Sequence, residues 1–309
     1  MMSTNELLRR EPNFIPAKKN KKKIVGDVIY YTIGTILSLI FILPLLYMVT
    51  ASTKSPDAYA HALSDKNFIL LFIPDFTNLK ETFNNYKMIL IDHELWKYAL
   101  NSLLYAAIII VFNVIVNGLA GYVLAKFDFP AKGFFNFIIL FLIVVPIETS
   151  IIPLYTIMKQ LLHLRQEMTV LGVIFPGVIS IFNIFLFTQF FASIPKEYEE
   201  AMHIDGSSRV RIFFDLILPL SKPIVATTVA FSFIGVWNDY VWPDMILYKD
   251  TSWPLVPVQV ALNSIRTIEG IEIGQTMAGL VLTTIPIFVI YTAAQKYIVK
   301  GFGTAGLKM

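Results

Sequence analysis

The amino-acid sequence predicts an all-α membrane protein with six transmembrane helices, on three observations. The first is composition: 56% of the 309 residues are hydrophobic, only 15% are charged, and mean hydropathy is +0.64. Water-soluble domains carry roughly 25% charged residues, so this balance excludes an ordinary soluble fold. The second is that the apolar residues fall in runs of about 24, and a helix rising ~1.5 Å per residue crosses roughly 30 Å of hydrocarbon in 20. The third is a polar island, residues 193–222, with more helix-forming content than a plain connection needs.

The absence of cysteine removes disulfide frameworks, thiolate metal sites and cysteine nucleophiles. Four dispersed histidines, His61, His93, His163 and His203, form no cluster in sequence, so neither a metal centre nor a catalytic group is expected. Nothing in the pattern calls for a nucleic-acid partner.

Residues 1–27 are polar and basic, with Arg9, Arg10 and five lysines, and read as a cytoplasmic tail. The first span is expected at 28–51; it is longer than the apolar core of a cleaved signal peptide and so reads as retained. Residues 52 to about 100 are mixed in polarity and read as an external cap. The second and third spans, 101–125 and 134–158, are joined by a tight connection through Phe127-Asp128-Phe129-Pro130. The fourth span is 168–192. After the island come a fifth at 223–247 and a sixth at 276–299, with 300–309 as a second cytoplasmic tail; residues 28–299 form one six-span domain.

Six crossings return both termini to one side. The N-terminal tail, the second connection, the island and the C-terminal end from Lys296 onward hold 16 of the 25 Lys and Arg, against 9 on the other side, which places both termini and the island in the cytoplasm.

Within the island, Pro195 suits a first helical turn, and Glu197, Glu199 and Glu200 place negative charge at the positive end of the helix dipole. A short helix is expected over 196–204. Asp205-Gly206 breaks it, because glycine takes the left-handed conformation cheaply. Ser207 or Ser208 can cap a second helix that Pro219 ends, and Val210, Phe213, Phe214 and Ile217 recur at helical spacing as one apolar stripe. By spacing alone this could equally be an amphipathic helix lying on the inner membrane face.

The pattern Glu200-Ala201, Asp205-Gly206, Leu218-Pro219 resembles the signature loop of permease subunits of bacterial ATP-binding cassette (ABC) importers. Asn101-Ser102, the run Trp237-Asn238-Asp239-Tyr240-Val241-Trp242-Pro243 and the ending 300–308 are similar to the carbohydrate branch, in particular its maltose-type second permease. The resemblance covers roughly residues 28–309. Met202 stands where the family usually has alanine, and Leu216 where it usually has isoleucine.

The resemblance implies a type I ABC importer permease fold in a bacterial plasma membrane, with a cytoplasmic coupling helix. Glu199, Glu200, Ala201, Asp205, Gly206, Leu218 and Pro219 would serve coupling, Glu200 through an ion pair to the ATPase. The implied partners are a second, homologous permease forming a heterodimer, two ATP-binding cassette subunits and an extracytoplasmic solute-binding protein. The chain has no G-x-x-x-x-G-K-[ST] loop, so ATP and Mg would reside on the partner subunits and no cofactor on this one.

Polar residues inside the spans are candidates for the cargo path, since burying free polarity in hydrocarbon is costly. They are Asn113, Asn117, Glu148, Asn183, Trp237, Asn238, Asp239 and Tyr240. Hydrogen bonds between helices are the competing role for the asparagines, and membrane-interface anchoring for the aromatics. The rival function is an ion-coupled secondary transporter of a small polar solute, which expects more paired intramembrane charge than Glu148 and Asp239 supply.

Overall fold

The computed structural model describes residues 21–64, 68–75, 79–158, 169–247 and 255–306. Most of the basic tail expected at 1–27, Met168 at the start of the fourth expected span, and the last three residues of the tail at 300–309 lie outside them. Every regular element among the described residues is helical. Residues through Met48 form one compact unit and Val49–Met309 another.

Helix α1 (Lys21–Ser52) contains Pro44, and through Leu46 its described side chains are exposed. The second unit starts with the last turn of α1, then α2 (Pro56–Ser64) and α3 (Leu79–Lys87). Polar contacts hold this cap together: Asn85 Nδ2 donates to the carbonyls of Ser52 and Lys54, and Lys54 Nζ donates to Ile73 O at 2.7 Å. Such satisfaction is what lets Lys54 and Asn85 be buried.

Helix α4 (Leu95–Lys126) is the axis of this unit, packing against later helices along its whole length. Helix α5 (Lys132–Val144) follows after a turn in which Ala131 takes φ +63°. A break at Pro146 leads to α6 (Ile151–Thr156), and the chain bends by 99° across that break. The residue after Val144 precedes a proline, which disfavours helical backbone, and Val145 is extended.

Helices α7 (Thr169–Val178) and α8 (Ile181–Ala192) are separated by Ile179-Ser180. The island contains α9 (Glu197–Ile204), α10 (Arg209–Ile212), a π-turn over Phe213–Ile217 and α11 (Leu218–Leu220). An 84° bend at Ser221 leads into α12 (Lys222–Asn238), continued after Asp239-Tyr240 by α13 (Val241–Leu247). Helix α14 (Val258–Ile265) and the long α15 (Ile273–Gly306), which continues past the expected sixth span, complete the fold.

Among the described residues, four helices are long and apolar enough to cross a membrane, or up to six if each bent pair is one span. The core lies where α4 meets α8, α12 and α15, in three clusters along its length. One centres on Trp237 with Leu95 and Leu262, one on Trp242 with Tyr105, and one on Phe187, Phe191 and Phe213 with Tyr122.

Candidate functional site

The island folds as helix, break, helix. Three glutamates occupy the first turn of α9, where the dipole favours them. Gly206 takes φ +79° and its N–H donates to His203 O, while Ser207 N donates to Met202 O, so the carbonyls at the end of α9 are capped by a left-handed turn. Ser208, in extended conformation, caps the next helix by accepting from Arg211 N at 3.3 Å. Pro219 lies inside the helical stretch, which ends two residues later at Ser221.

The apolar stripe differs from simple helical spacing. Ile212, Phe213 and Ile217 are buried, whereas Val210 and Phe214 are exposed. The cause is the π-turn: one extra residue in the turn shifts the buried face by one position. That wider turn precedes Pro219, which has no N–H to donate and whose ring crowds a regular turn.

The island is fastened to the far end of α4. Lys126 Nζ lies 2.8 Å from Glu199 Oε1 as an ion pair, off the line of an aligned hydrogen bond, and donates to Ile194 O at 2.6 Å. Tyr122 Oη donates to Glu199 Oε2 at 3.0 Å. The Lys126 side chain is 3% exposed and that of Glu199 13%, so either partner alone would be a stranded charge. Arg209 lies 4.5 Å over the Phe127 ring. Phe213 packs on Tyr122 and across Gly118, where a Cβ would come within 3.2 Å of its ring. Glu200, Ala201 and Asp205, by contrast, are exposed, as is Pro219, and Leu218 is half-buried.

Sequence reasoning grouped Glu199 with Glu200, and missed Lys126, Tyr122, Arg209 and Phe127 as its supports. The available signal was the placement of Lys126 at the last turn of an apolar helix, where a lysine ordinarily only faces water.

The intramembrane asparagines meet in one place. Asn117 Nδ2 donates to Asn113 O and Val178 O, and its Oδ1 accepts from Ser180 N. Asn113 Nδ2 donates to Gly177 O, and Asn113 Oδ1 accepts from Asn183 Nδ2 at 2.7 Å and from Ser232 Oγ. Asn183 also donates to Ser232. The amides therefore satisfy the backbone opened between α7 and α8 and tie it to α4 and α12, the bonding between helices that a low-dielectric interior demands.

The fifth-span aromatics are equally engaged. Trp237 is 1% exposed, stacks on Phe233 and donates from Nε1 to Thr283 O, while Trp242 donates to Gly172 O. Asp239 Oδ1 accepts from Trp242 N, and the Tyr240 hydroxyl accepts from Asn263. Asn238 is exposed, as is Glu148 at the 99° bend. At the other end of α4, Asn101 donates to Val256 O and Ser102 accepts from Val258 N. No group of three or more potential metal ligands exists among the described residues.

Fold and site together define a multi-pass helical membrane protein carrying a polar helix-turn-helix anchored at one end of α4. The chain belongs to the family described as binding-protein-dependent transport system inner membrane component, whose model matches residues 117–303. It is 28% identical to the arabinooligosaccharides transport system permease protein AraQ of Halalkalibacterium halodurans, over 90% of this chain and 95% of that one. It is also 28% identical to the diacetylchitobiose uptake system permease protein NgcG of Streptomyces coelicolor, over 84% and 82% of the two chains. The sn-glycerol-3-phosphate transport system permease protein UgpE of Salmonella typhi is 34% identical over 67% of this chain and 72% of its own. In structure the chain matches a bacterial ABC transporter involved in alginate import, with a TM-score of 0.75 at 23% identity over 90% of this chain and 98% of that one. It is accordingly a permease component of a membrane transport system.

Proposed function

We propose that this chain is the permease subunit of an ATP-driven ABC importer for a carbohydrate, with an oligosaccharide as cargo. It forms half of a translocation pore beside a second, homologous permease. Two ATP-binding cassette subunits, carrying ATP and Mg, and an extracytoplasmic binding protein complete the assembly. The carbohydrate class rests on the relatives named for arabinooligosaccharide and diacetylchitobiose transport.

The mechanism is alternating access coupled through residues 196–219. The observation that carries it is the division of labour on α9: Glu199 is held inward by Lys126 and Tyr122, while Glu200, Ala201 and Asp205 face outward where an ATPase can dock. The cap packs at the Leu95 end of α4 and the island at the Lys126 end, and 32 residues rising ~1.5 Å each separate them by roughly 48 Å, more than a bilayer's hydrocarbon thickness. With six crossings and the excess of Lys and Arg on the island side, both termini and the island lie in the cytoplasm. Glu148 and Asn238, exposed in the isolated chain, are the candidates for lining the path; Asn113, Asn117, Asn183 and Trp237 shape it from behind.

The test is to purify the assembly through this subunit, identify the copurifying chains, and measure ATP hydrolysis with loaded binding protein and a panel of saccharides. A second permease and an ATPase chain are expected, with hydrolysis rising for at least one oligosaccharide. A preparation containing no ATPase overturns the reading. Glu200→Lys and Gly206→Val should each lower sugar uptake per ATP by about tenfold, the loss expected for ~1.4 kcal/mol of coupling. Apart from its chain neighbours, no atom of this chain lies within 4 Å of where a Cβ on Gly206 would be, so within this chain that change costs only backbone strain at φ +79°. Normal transport by both variants would disprove coupling through the island.

A further inference from the structure

The geometry points to Lys126, Tyr122 and Glu199 as a clasp that makes α9 and α4 one rigid body, so that force entering the island is delivered to α4. This rests on the proposed importer function and specifies the route inside the chain.

The island is continuous in the chain with α8 before it and α12 after it, and either could have served as its lever. Each junction is a poor transmitter. Between α8 and α9 the chain runs through Ser193-Ile194-Pro195, and before α12 it turns by 84° at Ser221. Helix α4 is distant in sequence, yet it grips α9 by an ion pair at 2.8 Å and a hydrogen bond at 3.0 Å. Lys126 adds a bond to Ile194 O, just ahead of α9, and Phe127 holds Arg209, the first residue of α10. Both limbs of the island are therefore fixed to the last two turns of α4 and the residue that follows it.

The clasp is buried enough to be stiff. With the Lys126 side chain 3% exposed, water competes poorly for its ammonium, and neither charge can leave without stranding the other. Beneath it Gly118 and Gly121 admit Phe213 and the backbone of α8 against α4. About one to three turns further along, Asn117 and Asn113 bind the gap between α7 and α8 and reach Ser232 on α12. A tilt of α9 is thereby a tilt of α4, and a tilt of α4 pulls on the one place where the fourth span is interrupted. Glu199 then acts from behind the docking face as a positioning residue, and the partner-facing role falls to Glu200.

The chain has no cysteine, so thiols introduced in pairs react only with each other when the partner chains are also cysteine-free. The assembled complex is reconstituted in liposomes, and uptake and hydrolysis are measured on the same sample. Glu199→Gln keeps the side chain's shape and an acceptor for Tyr122 but removes the charge; uptake per ATP should fall about fivefold or more, within the range of single coupling contacts. The pair Lys126→Cys with Glu199→Cys should be equally uncoupled, and a short bifunctional thiol cross-linker should restore coupling, because a rigid body tolerates a covalent tie.

Coupling that is unaltered in Glu199→Gln, or that the cross-link fails to restore in the cysteine pair, overturns the clasp; the second outcome would mean that a rigid tie between α9 and α4 is not what carries the coupling. If the unaltered complex shows no hydrolysis-dependent uptake, it is the importer reading that fails.

Discussion

Helices α4 and α5 follow one another in the chain and are both strongly apolar, yet α4 buries a full face and no residue of α5 is buried. The buried face of α4 is not its most hydrophobic one: it carries Ser102, Asn113, Asn117, Gly118 and Gly121. The exposed surface of α5 is phenylalanine-rich, with Phe134, Phe137 and Phe141. In a bilayer, tails are as apolar as leucine, so apolar surface does not drive helices together. Close packing of small residues and hydrogen bonding between helices do. Small and amide residues therefore mark the interior, and the aromatic surface is left for lipid or, in the proposed assembly, the second permease.

The sharpest way to break this contrast is Gly121→Leu. Even a Cβ at Gly121 would sit 2.6 Å from Phe187 Cβ and 3.0 Å from the Thr188 nitrogen, and backbone cannot step aside as a side chain can. The variant should fail to accumulate as folded protein in membranes, a cost well above the ~1–3 kcal/mol of ordinary overpacking. Accumulation at the normal level would show that α4 and α8 are not in such close contact.

Asn117→Leu preserves size but removes bonds to Val178 O and Ser180 N. At ~0.6 kcal/mol per intramembrane bond, with an added penalty for the orphaned backbone, a loss of about 1–3 kcal/mol is expected. It should appear as a lowered thermal midpoint of the detergent-solubilised chain. An unchanged midpoint would make the amide network dispensable.

Phe137→Ala on α5 should change the stability of the isolated chain by less than ~0.5 kcal/mol and so barely move that midpoint, as surface changes do, while weakening copurification of the second permease if α5 faces it. A large fall in the stability of the isolated chain would erase the distinction between the two helices. The smallest effect lies in the turn joining them. Ala131 has φ +63°, so Ala131→Gly relieves strain and should raise stability by less than about 1 kcal/mol, part of the gain being lost to unfolded-state entropy.

Much of the island at 193–222 could be read from residues alone. Asp205-Gly206 announced a break and Gly206 makes it in the left-handed conformation; the seryl cap falls on Ser208. The apolar stripe was misplaced at Val210 and Phe214, because a π-turn changes the period on which any such reading rests. Glu199 and Glu200 are adjacent and chemically identical, and nothing local tells which one turns inward. That depends on Lys126, 73 positions earlier, reaching the same spot.

By itself, then, the sequence determined what is written into single segments. Membrane residence follows from runs of apolar side chains, and the helix breaks from glycine and proline, whose backbone preferences need no neighbours. Tertiary structure alone decided which polar groups find each other: Glu199 with Lys126, and Asn113 with Asn183 and Ser232. A polar group in a low-dielectric interior is held by whichever complementary group the packing brings within about 3 Å, and that pairing is a property of the folded chain.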